Sequence, residues 1–402
     1  EVHHIVAISD LNSSYGSTDY DDEVALILAE IIQKKPDLVI CTGDMIAAQK
    51  TTLSDQNIAE MWDAFDQKLL SPLSEAGIPV MFTVGNHDAS KSPAFKRDQR
   101  FAKEFWEKQK DKLGIKLKNQ ETFPFYYSAE FENLYVISWD ASGAVFSEQE
   151  WEWIKEELSN YSKQKPTIIL GHLPIYPVAK GRNRRGEYLA HGDSVLQLLI
   201  EHDVDAYFSG HHHAYYPGIR ESVLLIANGA LGEGPRMLID SDLPAQKSYT
   251  EFRIDSAGNI SSIVGLKPDG SMIDVETLPS LINGERGFVY LKETHFPEEI
   301  KRELQQDSLS AELIVEDLGY QIEISGLITL THPLKSDWAE VTIRSEKEAL
   351  TGQVWTKKVI PTVENEKTVR FESTFIKEDH QFIRELIAFG FVDISVKESV
   401  KN

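Results

Sequence analysis

Five segments of the chain end in side chains able to grip a divalent cation or move a proton. They are Asp10, Gly43-Asp44, Gly85-Asn86-His87-Asp88, Gly171-His172 and Gly210-His211-His212-His213. Each follows a short apolar run: Ile5–Ser9, Leu38–Thr42, Val80–Val84, Thr167–Leu170 and Ala206–Ser209. Carboxylate and amide oxygens combined with imidazole nitrogens suit Mn, Fe, Zn or Ni better than Mg or Ca. Two such ions about 3.5–4 Å apart can share one carboxylate and clamp both oxygens of a phosphate displacement, while bringing the pKa of a bound water toward neutrality. Taken singly, Asp10 and Asp44 read as helix caps, Asn86 as a turn residue and His172 as an ordinary half-buried imidazole. Independent caps and turns have no reason to fall in this order after five strand-like runs, so the set reads as one hydrolytic metal site.

Such a site needs a scaffold that gathers the ends of its strands. Between the apolar runs, Val24, Ile27, Leu28, Ile31 and Ile32 recur at helical steps, as do Ile58, Met61, Trp62, Phe65 and Leu69. Ser54 or Asp55 is a natural cap for the second of these helices. Strands alternating with helices over the first 265 or so residues predict a layered α/β domain. In open α/β sheets, ligands gather at the carboxyl ends of the strands, and glycine there admits a close approach of backbone or ion. A hairpin is predicted from Phe125–Phe131 and Leu134–Trp139 around Glu132-Asn133. Past His213 come short β segments such as Val223–Ala227 and Thr250–Ile254, then a turn at Lys267-Pro268-Asp269-Gly270. We therefore expect a catalytic domain over 1–270, a linker over 271–285 and a smaller C-terminal β-rich accessory domain over 286–402. In the last, Tyr320–Ile324 and Val369–Glu372 alternate apolar with polar, and a helix is expected around Pro297–Gln305.

The five motifs, in this order over roughly residues 3–265, resemble those of the calcineurin-like metallophosphoesterases. The Phe125–Trp139 hairpin and Glu150-Trp151-Glu152-Trp153 opening a helix are also similar to that family. The resemblance implies a four-layer sandwich, two β-sheets flanked by helices, and two metal ions. It also implies hydrolysis of a phosphoester, as a phosphatase or a phosphodiesterase, by metal-bound hydroxide with His87 as general acid. By the same resemblance Asp10 and His213 hold the first metal, Asp44 bridges both, and Asn86, His172 and His211 complete the second. Asp88 would orient or charge the His87 imidazole. One position departs from the pattern: the family usually has Asp-x-His on the first strand, and Asp10-Leu11-Asn12 puts an amide there. Asn12 is read as a metal ligand or a close neighbour of one. The other readings are a one-metal site, or a ligand drawn from Asp19 to Asp22.

Two loops are expected to form the rim. Lys180, Arg182, Arg184 and Arg185 follow His172 closely; they read either as a solvated loop or as a lid that grips substrate phosphate or carboxylate. Tyr15 lies in the other rim loop, Asn12–Asp22. His212, between two expected ligands, reads as structural. The chain carries 64 acidic and 41 basic side chains, a formal charge of -23, which argues against broad nucleic-acid binding. The small phosphoester partner is what the resemblance implies, and local positive charge or metal ions must draw it in. No apolar run approaches the roughly 20 residues that span a bilayer. The single Cys41 cannot form an internal disulfide and reads as a reduced core residue. The start at Glu1 favours an exported protein, periplasmic or secreted, over a cytoplasmic one, with trimming of the chain as the other explanation. The rival function is a catalytically weak or inactive scaffold of the same fold. Such proteins tend to lose several site residues, whereas only the Asn12 position departs here.

Overall fold

In the computed structural model, residues 2–161, 165–232, 234–255, 257–292, 299–336, 339–345 and 355–398 are described. The chain divides into two compact units, Glu1–Glu293 and Thr294–Asn402. In the first unit the apolar runs become strands β1 (Val2–Ile8), β2 (Leu38–Cys41) and β3 (Val80–Phe82), then β4 (Lys116–Leu117), β5 (Tyr127–Phe131), β6 (Leu134–Ser138) and β7 (Thr167–Leu170). They are followed by β8 (Ala206–Ser209), β9 (Tyr216–Arg220), β10 (Val223–Ala227), β11 (Tyr249–Asp255), β12 (Ile260–Leu266), β13 (Leu281–Asn283) and β14 (Phe288–Leu291). Two sheets result, ordered β12-β11-β1-β2-β3 and β13-β14-β9-β10-β8-β7-β6-β5-β4.

The strands that lead into the motifs run parallel, β1 with β2 and β2 with β3 in one sheet, β6 with β7 and β7 with β8 in the other. Strands β2, β7 and β8 are buried at every residue, as parallel strands covered on both faces must be. One apolar core takes Ile5, Val39 and Met81 from the first sheet and Val136, Ile168, Leu170 and Phe208 from the second, so the sheets are stacked face to face. The helices Asp22–Lys34 and Asp55–Phe65 add Val24, Ile27, Ile58 and Trp62 to that core. Alternate residues Ile137, Ile169 and Tyr207 face the other way and are equally buried, and the helices Glu148–Tyr161 and Gly192–Glu201 supply the buried Ile154, Leu158, Val195 and Leu199. Ser54 caps its helix as expected: Asn57 N donates to Ser54 Oγ at 3.1 Å and Ser54 N to Asn57 Oδ1 at 3.3 Å. The hairpin closes with Phe131 opposite Leu134 and Glu132 at φ 51°.

The expected linker at 271–285 is corrected. Strand β13 pairs with β14, and β14 pairs with β9 at the edge of the nine-stranded sheet, so this stretch belongs to the first unit. Leu281 and Ile282, two apolar residues before Asn283, are too few to show a period.

The second unit holds β15 (Glu299–Gln306), β16 (Leu309–Asp317), β17 (Gln321–Leu330), β18 (Ala339–Ser345), β19 (Thr356–Val359), β20 (Thr362–Asn365), β21 (Thr368–Ile376) and β22 (Val392–Glu398). They form sheets β15-β16-β17-β21-β20 and β19-β18-β22, and among the described residues one helix, Lys377–Ala388, buries Ile383 and Ile387. The helix expected around Pro297–Gln305 is corrected where the structure describes it: Glu299–Gln306 is an edge strand paired along its length with β16. Only Ile300 of that strand is buried, which is why its sequence shows no alternation. Among the described residues, no helix is long and apolar enough to cross a membrane.

Candidate metal centre

The two sheets bring the motif-bearing strand ends together, and backbone bonds pin them. Asp10 N donates to Gly43 O at 3.0 Å, Gly210 N to His172 O at 2.9 Å and Gly171 N to Phe208 O at 3.0 Å. His211 N, from the second sheet, donates to Asp10 Oδ2 at 3.1 Å. A side chain at Gly85 would overlap the Asp44 carboxylate and backbone, and one at Gly210 would overlap Ser9 and Asp10, so both positions require glycine. Asp10, Asp44, His211 and His213 all hold left-handed backbone, at φ 49°, 56°, 62° and 52°. This conformation costs an L-residue on the order of 1–2 kcal/mol and clusters at functional sites.

Two sets of ligand atoms each lie within 4.8 Å of one another: Asp44, His172 and His211, and Asp10, Asp44 and His213. Asp44 is common to both. Its Oδ2 stands 3.3 Å from His172 Nε2, Asp10 Oδ1 stands 3.1 Å from His213 Nε2, and Asn86 Oδ1 stands 3.0 Å from His172 Nε2. Donor atoms about 2.1 Å from one ion at tetrahedral or octahedral angles are separated by roughly 3.0–3.4 Å, so these separations are those of a coordination shell.

The imidazoles carry a second, independent signal. His172 Nδ1 lies 2.7 Å from Thr42 O, His213 Nδ1 2.8 Å from Gly234 O, and His87 Nδ1 3.3 Å from Ala48 O. His211 Nε2 lies 2.8 Å from Glu187 Oε2. Carbonyls and carboxylates only accept, so in each ring the bonded nitrogen carries the proton and the other is turned to the site. Metal-binding histidines are held in this way. Asn86 is oriented too: its Nδ2 donates to Gln49 Oε1 at 2.7 Å, which leaves Oδ1 for the site. Asn12 Oδ1 is buried and has no hydrogen-bond partner among the described residues. An orphaned amide oxygen is costly unless something else satisfies it.

Charge points the same way. Asp10 and Asp44 are 0% and 1% exposed, and neither forms an ion pair with a lysine or arginine among the described residues, although Asp10 lies within the electrostatic reach of Arg236. Burial pushes Asp44 up, but His172 and His87 outweigh it and hold the carboxyl well below its usual range. Burial pushes His172 down, yet the Asp44 and Asp10 carboxylates win and lift it to about 9, so a proton and a cation compete for Nε2. Burial holds His211 down at about 4, so it is neutral at pH 7 and donates to Glu187. Two buried carboxylates, two amide oxygens and three aimed imidazoles fit a pair of metal ions.

Several expected roles change. Asp88 does not touch the His87 ring. Its Oδ2 accepts from Asp44 N and Gly85 N, both at 2.8 Å, and its Oδ1 from Met45 N at 2.8 Å and Ile46 N at 3.0 Å. It clamps the turn that carries Asp44, although burial and the Asp44 charge push it up to about 7 against those four donors. The ring of Tyr15 packs on His87, centroids 5.1 Å apart. Asp19 pairs with Lys68 at 2.8 Å and Asp21 with Lys247 at 2.5 Å, while Asp22 opens a helix, so none of these acids joins the ligand sets. Arg182 and Arg184 are both bound to Glu187, the latter through Nη2 at 2.9 Å. A substrate anion would have to compete with that resident carboxylate. Arg185 is exposed and has no ion pair among the described residues. His212 is structural, as expected: its Nδ1 accepts from Val178 N at 3.1 Å and Ala179 N at 3.2 Å, and its Nε2 donates to Glu187 O at 2.9 Å. Glu187 and Gln49 escaped the sequence reading. For Glu187 a signal existed, an acid ending a run of four cations; for Gln49 there was none.

Residues 3–215 match the family described as calcineurin-like phosphoesterase, more than half of the chain. The chain belongs to that family. Among curated relatives of this phosphoesterase, a phosphoenolpyruvate phosphatase of Allium cepa is 24% identical over 273 residues, 63% of this chain and 53% of the relative. The Fe(3+)-Zn(2+) purple acid phosphatase 12 of Arabidopsis thaliana is 25% identical over 262 residues, 60% of this chain and 53% of the relative. The chain thus spans about half the length of these relatives. The solved purple acid phosphatase PPD1 from Lupinus luteus seeds superposes with a TM-score of 0.51 at 17% identity, over 68% of this chain and 53% of that one, a likeness of fold.

Proposed function

We propose that this phosphoesterase is a two-metal hydrolase of small phosphoesters. In this reading Asp10, Asn12 and His213 hold one ion, Asn86, His172 and His211 the other, and Asp44 both. Ions of the Mn, Fe, Zn or Ni type bound there would polarise a phosphoryl oxygen and supply a water acidic enough to ionise near neutral pH. The chain's own residues do the rest. Asp88 fixes the Asp44 turn through four backbone donors, and Gln49 keeps the Asn86 oxygen turned inward. His87 is anchored through Nδ1, with Nε2 4.0 Å from Asp44 Oδ2; a proton on Nε2 is placed to pass to the departing alcohol oxygen. The Tyr15 ring backs that imidazole, and Arg185 adds positive charge at the rim.

The observation that carries the reading is the set of four imidazoles, each with one nitrogen anchored and the other facing buried carboxylates that form no ion pair with a lysine or arginine among the described residues. The names of the curated relatives, phosphatases, support a monoester as first substrate to try. The test is to strip the protein with chelator, reload it separately with Mn, Zn, Fe and Ni, and measure turnover of p-nitrophenyl phosphate and bis(p-nitrophenyl) phosphate. We expect metal-dependent hydrolysis, with Asp44→Ala and His87→Ala each lowering kcat by about 10²-fold or more. An undiminished rate in either variant defeats the assignment.

A further inference from the structure

The two ion positions are supported in different ways. Asp10 receives a hydrogen bond from Ser9 Oγ at 2.5 Å, Ser9 receives one from Thr42 Oγ1 at 2.7 Å, Thr42 one from Asn228 Nδ2 at 3.3 Å, and Asn228 one from Thr250 Oγ1 at 2.8 Å. All five residues are fully buried, and the chain of neutral donors runs one way, toward the carboxylate. His172 and His213 rest on main-chain carbonyls. His211 alone among these ligands leans on a charged side chain. Glu187 Oε2 takes its Nε2 proton at 2.8 Å and also meets Arg182, while Oε1 takes Arg184 Nε at 3.1 Å and Nη2 at 2.9 Å. The carbonyl of the same residue accepts from His212. Side chain and backbone of one glutamate therefore grip two consecutive histidines of the metal motif.

Resting on the two-metal reading above, we infer that Glu187 is a positioning residue that couples the 180–187 loop to occupancy of the His211 ion position. A carboxylate on the outer N–H of a ligating imidazole fixes the ring plane and raises the basicity of the other nitrogen, and removing such a partner costs about 10–100-fold in metal affinity. Linkage makes the effect mutual: whatever factor the closed loop adds to ion binding, the ion adds to loop closure. Loss of the His211 ion then loosens a loop rich in arginine.

The test is a zinc titration of metal-stripped protein by chelator competition, combined with trypsin digestion, since the loop offers Lys180, Arg182, Arg184 and Arg185 as cleavage points. Wild type should take two equivalents, one of them slowing tryptic cleavage in the loop. In Glu187→Ala that equivalent should bind about 10–100-fold more weakly while the other changes by less than about twofold, and loop protection should vanish. Glu187→Gln, whose amide oxygen still accepts the N–H, should lose less than about tenfold. Should the alanine variant fail to fold, Glu187→Asp, one methylene too short to reach Nε2, should behave as the alanine variant is expected to. Equal affinities for both equivalents in wild type and variant, with cleavage indifferent to zinc, overturn the coupling while leaving the two-metal reading intact. A wild type that binds no zinc overturns the two-metal reading itself.

Discussion

Replacing Asp88 with asparagine separates two jobs for its carboxylate, clamping the Asp44 turn and serving the His87 imidazole. In the structure each Asp88 oxygen takes two backbone donors, from residues 44, 45, 46 and 85. An asparagine keeps one such oxygen and turns an NH2 group against the other two N–H groups. Each buried donor left unpaired costs about 1–3 kcal/mol, so about 2–6 kcal/mol is at stake. Removing a buried charge beside Asp44 returns part of this, leaving about 3 kcal/mol of net destabilisation. At roughly 2–4 °C per kcal/mol for a unit of this size, the Tm of the metal-free protein should fall by about 6–12 °C. The measurement is calorimetry in excess chelator on wild type, Asp88→Asn and His87→Ala. Among the described residues the His87 side chain has its 3.3 Å bond to Ala48 O, the Tyr15 ring and a 4.0 Å approach to Asp44 Oδ2 to lose, so the Tm of its variant should fall by less than that of Asp88→Asn. If Asp88 instead served the His87 imidazole, Asp88→Asn would move the pH profile of kcat and leave the metal-free transition where it was. An unshifted transition refutes the clamp.

Because His172 stands at about 9 in the metal-free chain, an incoming ion must displace a proton. Affinity for the zinc ion that His172 would hold should therefore rise about tenfold per pH unit between pH 7 and 9, with about one proton released as it binds; calorimetric titration in buffers of different ionisation enthalpy checks this, and a flat profile for both ions refutes it. The same shift gives a sign for stability: the His172 contribution is full below its usual 6.5 and is lost as pH rises through 9, so the metal-free protein should melt lower at pH 9.5 than at pH 6.5 from this group. Gly85→Ala would drive a methyl into the Asp44 carboxylate and backbone, so it should abolish binding of both ions in a protein that circular dichroism still shows as folded. Glu221 is pushed up to about 7 by burial, which Arg220 only partly offsets. Its contribution is full below 4.5 and lost as pH rises through 7, so Glu221→Gln should raise stability by about 1 kcal/mol at pH 8 and leave it unchanged at pH 4.

The parts of the centre that could be read in the sequence are those that local chemistry dictates. A parallel strand buried on both faces must be an unbroken apolar run, so Leu38–Cys41 and Thr167–Leu170 announce themselves, and the glycines after them mark where side chains converge. What supports those ligands was hidden because it depends on tertiary approach. Asp88 looks like a neighbour of His87 along the chain, but it faces the backbone of residues 44–46, brought to it by the pairing of β2 with β3. Glu187 reaches His211 across 24 residues, through a loop whose path no periodicity records. The errors outside the site have the same root: β13 and β14 are short edge additions, and β15 buries a single apolar side chain, so neither leaves the alternation that marks a half-buried strand.

The left-handed conformation of Asp10, Asp44, His211 and His213 also bears on any attempt to make the protein more robust. Those backbones are among the places where a glycine or an asparagine would relieve torsional cost, and a stabilisation screen scored on melting alone will be drawn to them. A gain of that kind removes a donor atom with glycine, or with asparagine puts a neutral amide where a carboxylate or an imidazole stood. Hardening this molecule without disarming it therefore means working where the backbone is relaxed, on its surface loops or in its second unit, and accepting four uncomfortable residues as the condition of its chemistry.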